Sequence, residues 1–512
     1  MESYLDHARK LSARYPCMAQ FFSDWDRFAP RRLPEPLSSR QFTSRCGALE
    51  FVPDKQPEFV DLSDSADLRD YLDRINAEAP CHNRLFLLED LDESSLEMLG
   101  SALHIDPVVL ADQLFTYHFS ENHTIPHRTL PSLTDASRSF TLRYYELRET
   151  DDRLAENQTR RRRTFAHASR QIERWRDLAT RRETHVDVVR HNVSFWCGEG
   201  LPGEDKPTPG AWNAILLVDP PVASQPAARK GYYYVLDKEE DNAPWSPQIQ
   251  WSKPYRAGYS DLRPWLSSRS VLAPSRQSMF DDIIFYWLRA ERREIDAVFD
   301  SCVNTTLFVH QIVACHWNEF LDLQFKTLST VDLTSKSKRH NSPGKAVSTA
   351  EWREELNYYN ERLSLLGILQ RRLMWYKREM VLNLERLGFA PYVAGDHTSI
   401  ATPSSLRIAG RDLQAILSEL DRHESRVDNL VGIVTDSINL SSALRSLHSA
   451  RFGLQLSIVG AVFFPITLVA AIFSMGGDYS PGSKDFWIPW VVAVPLVIIL
   501  IITTWQVHHT LL

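Results

Sequence analysis

Two long uncharged runs near the C-terminus, 454–473 and 486–505, constrain this chain more than any other feature. Neither contains Asp, Glu, Lys or Arg. A helix rises about 1.5 Å per residue, so about 20 such residues match the ~30 Å hydrocarbon layer of a bilayer. A charge at mid-bilayer costs ~2.5–3.5 kcal/mol on insertion scales, and a core helix of a soluble domain seldom stays uncharged for so long. The pattern predicts two transmembrane helices, 454–474 and 486–505, joined by a loop, 475–485, rich in Gly, Pro and Ser. The competing reading is a buried core hairpin. A loop this short makes the helices antiparallel neighbours, with both chain ends on one side. Glu2, Asp6, Arg9 and Lys10 interrupt any apolar signal segment, and Arg445 and Arg451 precede the first run. The N-terminal part and the tail, 506–512, are therefore expected on the cytosolic or matrix side of a two-pass protein. Which membrane is involved stays open.

Upstream of the first run the helical pattern continues. Thr402 can cap it, and Pro403 suits the first helical position. Apolar residues then recur at Leu406, Leu413, Ile416, Leu417, Leu420, Val427, Leu430, Val431, Val434, Ile438, Leu444 and Leu447, with no proline before Pro465. Gaps of three, four and seven make one stripe. A stalk helix over 404–453 with a single stripe must bury it against copies of itself or against other helices.

The remainder is mixed in texture. A helical segment is expected over 1–36 and an α/β domain over 37–274. Strand-like runs lie at 48–52, 83–88, 140–146, 186–195, 214–218 and 232–236, with helical patterns at 95–103 and 107–115. An antiparallel pair of long helices is expected over 275–403: one helix from 279 to about 331, a basic turn at 334–347, then 348–387 ended by Gly388. Their aromatic residues read as core contacts. Net charge is −7 and pI about 6.2, so no nucleic-acid partner is implied. Cys17, Cys46, Cys81, Cys197, Cys302 and Cys315 lack ligand spacing and read as free thiols in a reducing compartment.

Several short motifs do not reach a site. Gly198, Gly200 and Gly203 match a dinucleotide pattern, but a Pro-rich acidic stretch follows where a helix is required, so a loop is expected. His104, His118, His123 and His127 fit no closed zinc spacing. Arg160 to Arg163 read as a solvated face of a polar helix. Asp106-Pro107 reads as a helix start. The sequons at Asn122, Asn157, Asn192, Asn304 and Asn439 fall on the cytosolic side of the expected topology. No catalytic motif is found, so an enzyme is not expected; a tail-anchored enzyme would need a constellation that the sequence does not show.

The end of the first run carries a resemblance. Phe463-Phe464-Pro465, Ile466-Thr467-Leu468 and Phe473-Ser474-Met475-Gly476, followed by Asp478, Tyr479 and Pro481, resemble the end of the pore helix and the following loop of CorA-type magnesium channels. The signature Gly-Met-Asn of that family is Ser474-Met475-Gly476 here. The order of parts is also similar: an α+β cytosolic domain with a mixed sheet, long helices and a two-helix C-terminal transmembrane hairpin. The resemblance implies a homo-oligomer, a pentamer, in contact with membrane lipids, that conducts Mg²⁺ or a related divalent cation and holds no covalent cofactor. On a helical wheel Leu456, Ser457, Gly460, Phe464, Thr467, Ala471 and Ser474 fall near one face, the expected pore lining. Pro465 is the expected kink, and Ser474, Met475, Gly476 and Asp478 form the expected selectivity loop. Gating in the family responds to cytosolic Mg²⁺, for which Asp428 and Asp436 are candidate ligands. With its filter altered, the chain is expected to conduct weakly or with changed choice. The alternative is a non-conducting membrane-anchored sensor or scaffold of the same fold.

Overall fold

A computed structural model describes residues 3–12, 22, 44–77, 83–114, 135–150, 163–165, 169–176, 185–199, 212–220, 233–235, 278–337, 349–390, 403–474 and 482–511. They fall into two compact units, Met1–Pro343 with Ile368–Val427, and Gly344–Gly367 with Asp428–Leu512.

The first unit is built on a nine-stranded mixed sheet. Its strands are β1 (Arg45–Phe51), β2 (Glu58–Asp61), β3 (Asn83–Glu89), β4 (Ser139–Thr150), β5 (Arg163–Phe165), β6 (Ser169–Arg176), β7 (His185–Glu199), β8 (Trp212–Val218) and β9 (Tyr233–Val235). They pair in the order β2-β1-β3-β8-β7-β6-β5-β9, with β4 on β7. Only β3 and β8 run parallel among the described pairs. β7 is long enough to serve three neighbours. Its N-terminal half pairs with β6, its C-terminal half with β8, and β4 follows it from His185 to Trp196. Side chains alternate between the faces. Ala48, Phe86 and Ile215 point into a core with α1 (Tyr4–Leu11), α2 (Ser65–Ala77), α3 (Glu93–Leu103) and α4 (Pro107–Leu114).

Local chemistry explains the helix ends. The Asp92 carboxylate accepts from Ser95 N at 2.9 Å to open α3, which His104 closes at φ 53°. Asp106 accepts from Val108 N at 2.9 Å, so the Asp106-Pro107 helix start is found as expected. Of the four histidines weighed as zinc ligands, His104 is this cap; His118, His123 and His127 lie outside the described residues.

The opposite face of the sheet meets α5 (Met279–Trp287), α6 (Arg292–Asp300), a 3-10 turn (Cys302–Thr306), α7 (Leu307–Ser337) and α8 (Thr349–Arg386). Phe51 of β1 meets the Trp287 ring edge-on at 5.0 Å. Tyr145 of β4 stacks on Phe320 at 4.8 Å and meets Tyr376 edge-on at 5.0 Å. Asn383 accepts from Arg143 N and donates to Arg143 O, at 3.0 and 2.8 Å. Trp317 Nε1 donates to the same carbonyl at 2.9 Å. These aromatic residues are core contacts, as expected.

Three expectations are corrected here. The helix expected from 279 to about 331 is broken into three helices and a turn. Glu291 and Glu294 form a capping box that restarts the chain after α5, and Ser301 is extended at φ −161° and ψ 136°. Trp287 Nε1 donates to Thr305 O at 3.1 Å and pins the turn against α5. Arg163, read with its neighbours as helical, begins strand β5; Arg160 to Arg162 lie outside the described residues. Cys197 on β7 and Cys302 in the 3-10 turn are disulfide-bonded, with Cα atoms 6.7 Å apart. They are not free thiols, whereas Cys46 and Cys315 take no part in a disulfide.

α8 ends as Gly388 predicts. Gly388 takes φ +80°, and Phe389 N donates back to Leu384 O at 2.9 Å, a Schellman closure. α9 then runs unbroken for 71 residues, Ser404–Ser474. Pro403 accepts its first bond from Arg407 N at 3.1 Å, so proline sits at the cap and not inside the helix. α10 (Ile488–Leu511) follows.

Candidate functional site

The two uncharged runs lie in the C-terminal third of α9 and in α10. Upstream, α9 is firmly held in the first unit. Ser405 Oγ donates to Asn304 Oδ1 at 2.8 Å. Lys377 of α8 donates to Asp421 and Glu424 at 2.6 and 2.9 Å, and those bonds hold its ammonium above the ordinary lysine range. His423 is buried beside Gln324, and burial pushes its imidazole below the ordinary range. The apolar stripe is buried there at Leu406, Leu413, Leu420 and Val427, and in the second unit at Val434.

Past Ile438 the stripe loses its cover. Leu440, Leu444 and Leu447 are exposed, and so is nearly every described side chain of 452–472. The exceptions fall on one line. Counting about 100° per residue, buried Pro465 and Val469 and half-buried Ile466 occupy one sector. Leu456, Ser457, Gly460, Phe464, Thr467, Ala471 and Ser474 lie in a sector centred on the opposite side, and all seven are exposed. Phe464 is the most prominent, at 71% exposure. The expected lining thus shares one open face within a single chain.

Pro465 has no N–H, so the carbonyl four residues earlier loses its helical donor. One turn on, the Thr467 hydroxyl donates to Phe463 O at 2.8 Å, turning its oxygen back on the helix. The helix continues through Pro465, and Ser474 is its last residue. Met475, Gly476 and Asp478 lie outside the described residues.

α10 repeats the pattern. Ala493 is buried and Val497 and Leu500 half-buried on one line, while the other described positions from Trp490 to Ile502 are exposed. Phe486, Trp487 and Trp490, exposed together at the start of α10, were not singled out by sequence reasoning, although aromatic residues at the mouth of an apolar run are a readable signal.

Asp428 and Asp436 are exposed on α9, eight residues apart. Among the described residues no group of three or more His, Cys, Asp or Glu could hold a metal ion. Also among the described residues, no helix is long and apolar enough to cross a membrane.

Comparison with known proteins adds the following. No curated protein is matched by this sequence. The structure of the CorA magnesium transporter from Methanocaldococcus jannaschii is similar at 8% identity and a TM-score of 0.32, over 89% of this chain and 96% of that one. A likeness that slight decides nothing about how the elements are arranged. Residues 341–509 match the family described as CorA-like Mg²⁺ transporter protein, a match over about a third of the chain that takes in α8, α9 and most of α10. Over residues 341–509, therefore, the chain is similar to the CorA-like Mg²⁺ transporter family.

Proposed function

We propose that this chain forms a membrane-embedded homo-oligomer that passes divalent cations along the 456–474 face of α9. One observation carries the reading: that face is open and lies opposite the covered stripe at Pro465 and Val469. Copies arranged about an axis would turn Gly460, Thr467 and Ser474 toward a shared path, with Phe464 as an aromatic constriction able to gate by dewetting. The bilayer crossing belongs to the same proposal. It rests on the two full 20-residue sequences without a charge, 454–473 and 486–505, and on the apolar side chains left uncovered along both helices. Both chain ends then lie on the cytosolic or matrix side.

Mg²⁺ gives up its waters reluctantly, so a path for it holds the hydrated ion with neutral oxygens. At the mouth this chain offers the Ser474 hydroxyl, the Gly476 carbonyl and the acids Asp478 and Asp485. With glycine at 476 there is no side-chain oxygen to order the hydration shell, and choice among divalent ions is weakened. Asp428 and Asp436 would sense cytosolic Mg²⁺ by meeting acids of a neighbouring copy.

Flux of Mg²⁺, Co²⁺, Ni²⁺ and Zn²⁺ into vesicles holding the full chain tests the reading. Measurable flux with little discrimination is expected, and Gly476→Asn should raise the Mg²⁺ component. Zero flux for every ion, before and after that substitution, overturns conduction and leaves a membrane-anchored scaffold or sensor as the role.

A further inference from the structure

We propose that Phe486, Trp487 and Trp490 form an anchor that seats the start of α10 in the phospholipid headgroup layer on the loop side of the bilayer. The proposal rests on the reading that α10 crosses a membrane, and it names the part of the lipid these residues meet.

The order of residues along the chain carries the argument. Lys484 and Asp485 come first, both exposed. Phe486 and Trp487 follow in the turn that opens the helix, where Ile488 N donates to Asp485 O at 3.2 Å and Val491 N to Trp487 O at 3.2 Å. Trp490 lies one turn later. Trp487 is 60% exposed and Trp490 54%, three residues apart and so on one side of the helix. Beyond them the described side chains to Ile502 are aliphatic, apart from Pro495. Charge, then indole, then aliphatic is the sequence of environments met on entering a bilayer. An indole suits the boundary because its ring is apolar while its N–H still needs an acceptor, which lipid carbonyl and phosphate oxygens supply.

The circumference identifies lipid as the occupant. Val491, Val492, Val494, Leu496, Ile498 and Ile499 are exposed over about 200° of arc at about 100° per residue. A partner helix covers a stripe, and one stripe is already covered at Ala493 and Val497. The remaining arc is too wide for a second stripe and suits acyl chains. From position 487 to position 505, the first tryptophan after Trp490, the chain rises about 27 Å as a helix, close to the ~30 Å hydrocarbon thickness.

The test uses the full chain in vesicles of phosphatidylcholine brominated either near the acyl carbonyls or near the chain ends. The chain has 14 tryptophans, so the emission of interest is the part lost in a W487F/W490F variant. That part should be quenched by shallow bromines more than by deep ones, and not by iodide in the water. Quenching by iodide with both lipids inert, or stronger quenching by deep bromines, overturns the anchor. Where the double variant folds poorly, W487F and W490F are read singly against the same outcomes. Labelling of Ile499→Cys by a water-soluble maleimide, read above the wild-type background, separates the two claims. If position 499 is shielded while iodide reaches the two indoles, the crossing stands and the anchor fails. If position 499 is labelled freely, the crossing itself fails.

Discussion

The two ends of α9 are one helix in two different surroundings. From Leu406 to Val434 the apolar stripe is buried, and polar bonds from Asn304 and Lys377 hold the helix in place. From Leu440 to Ile472 comparable residues stand uncovered. Helix propensity does not distinguish the two, since leucines, valines and isoleucines fill both. What differs is the cover: Gln324 of α7 and Lys377 of α8 bond the first part, while the second part is exposed. Burial, not composition, separates the two parts of α9.

Cavity formation gives the largest expected contrast. Leu420 is 1% exposed, and a buried Leu→Ala change costs about 2–5 kcal/mol, so Leu420→Ala should visibly lower the thermal midpoint of the detergent-dispersed chain. Leu444 is 58% exposed, and Leu444→Ala in the same monomer should fall within about 0.5 kcal/mol of wild type. Equal losses at both sites would erase the distinction. An intermediate effect is expected from acid. His423 is held neutral by burial, with Glu419, Asp322, Arg422 and Arg426 as the charges that act on it and Phe325 against it. Its folded pKa lies below its unfolded value of about 6.5, so the unfolded chain binds the extra proton. Stability is full above about pH 6.5 and falls as the pH drops from there toward the folded pKa. His423→Gln should flatten that part of the denaturant-midpoint profile; an unchanged acid slope in the variant would remove His423 from the account. The smallest effect belongs to Lys377. Its two bonds lie at a partly exposed site, so Lys377→Met should cost only about 0.5–1 kcal/mol, and salt should shrink the loss. A salt-independent loss would mean that the aliphatic stem, not the charge, does the holding.

Much of this was legible because apolar runs are hard to disguise. β3 and β8 are buried at every position, so the runs at 83–88 and 214–218 found them almost to the residue. β2, with Glu58 and Asp61, and β6, with three arginines, lack that signal; they are strands because neighbouring edges bond them. The break between α5 and α7 hides in a Glu291–Glu294 capping box inside a pattern of helical period. The Cys197–Cys302 bond joins residues 105 apart, a distance that no local pattern bridges. In the candidate site the spacing of small and aromatic residues located the open face of α9. The stripe at Pro465 and Val469 did not announce itself, because which apolar residues are covered depends on what lies beside them. The tryptophans at 487 and 490 were readable but were absorbed into the apolar run they begin.

Between Ser404 and Ser474 the backbone offers no cap and no second start, and Pro465 is its sole proline. Such a rod keeps angular count. One residue added between Val434 and Leu456 would swing Phe464 by about 100° about the helix axis relative to Val434. Seven added residues would bring it back to within about 20°. Change in the length of this helix is therefore tolerable only in steps near whole turns, such as about seven or eleven residues.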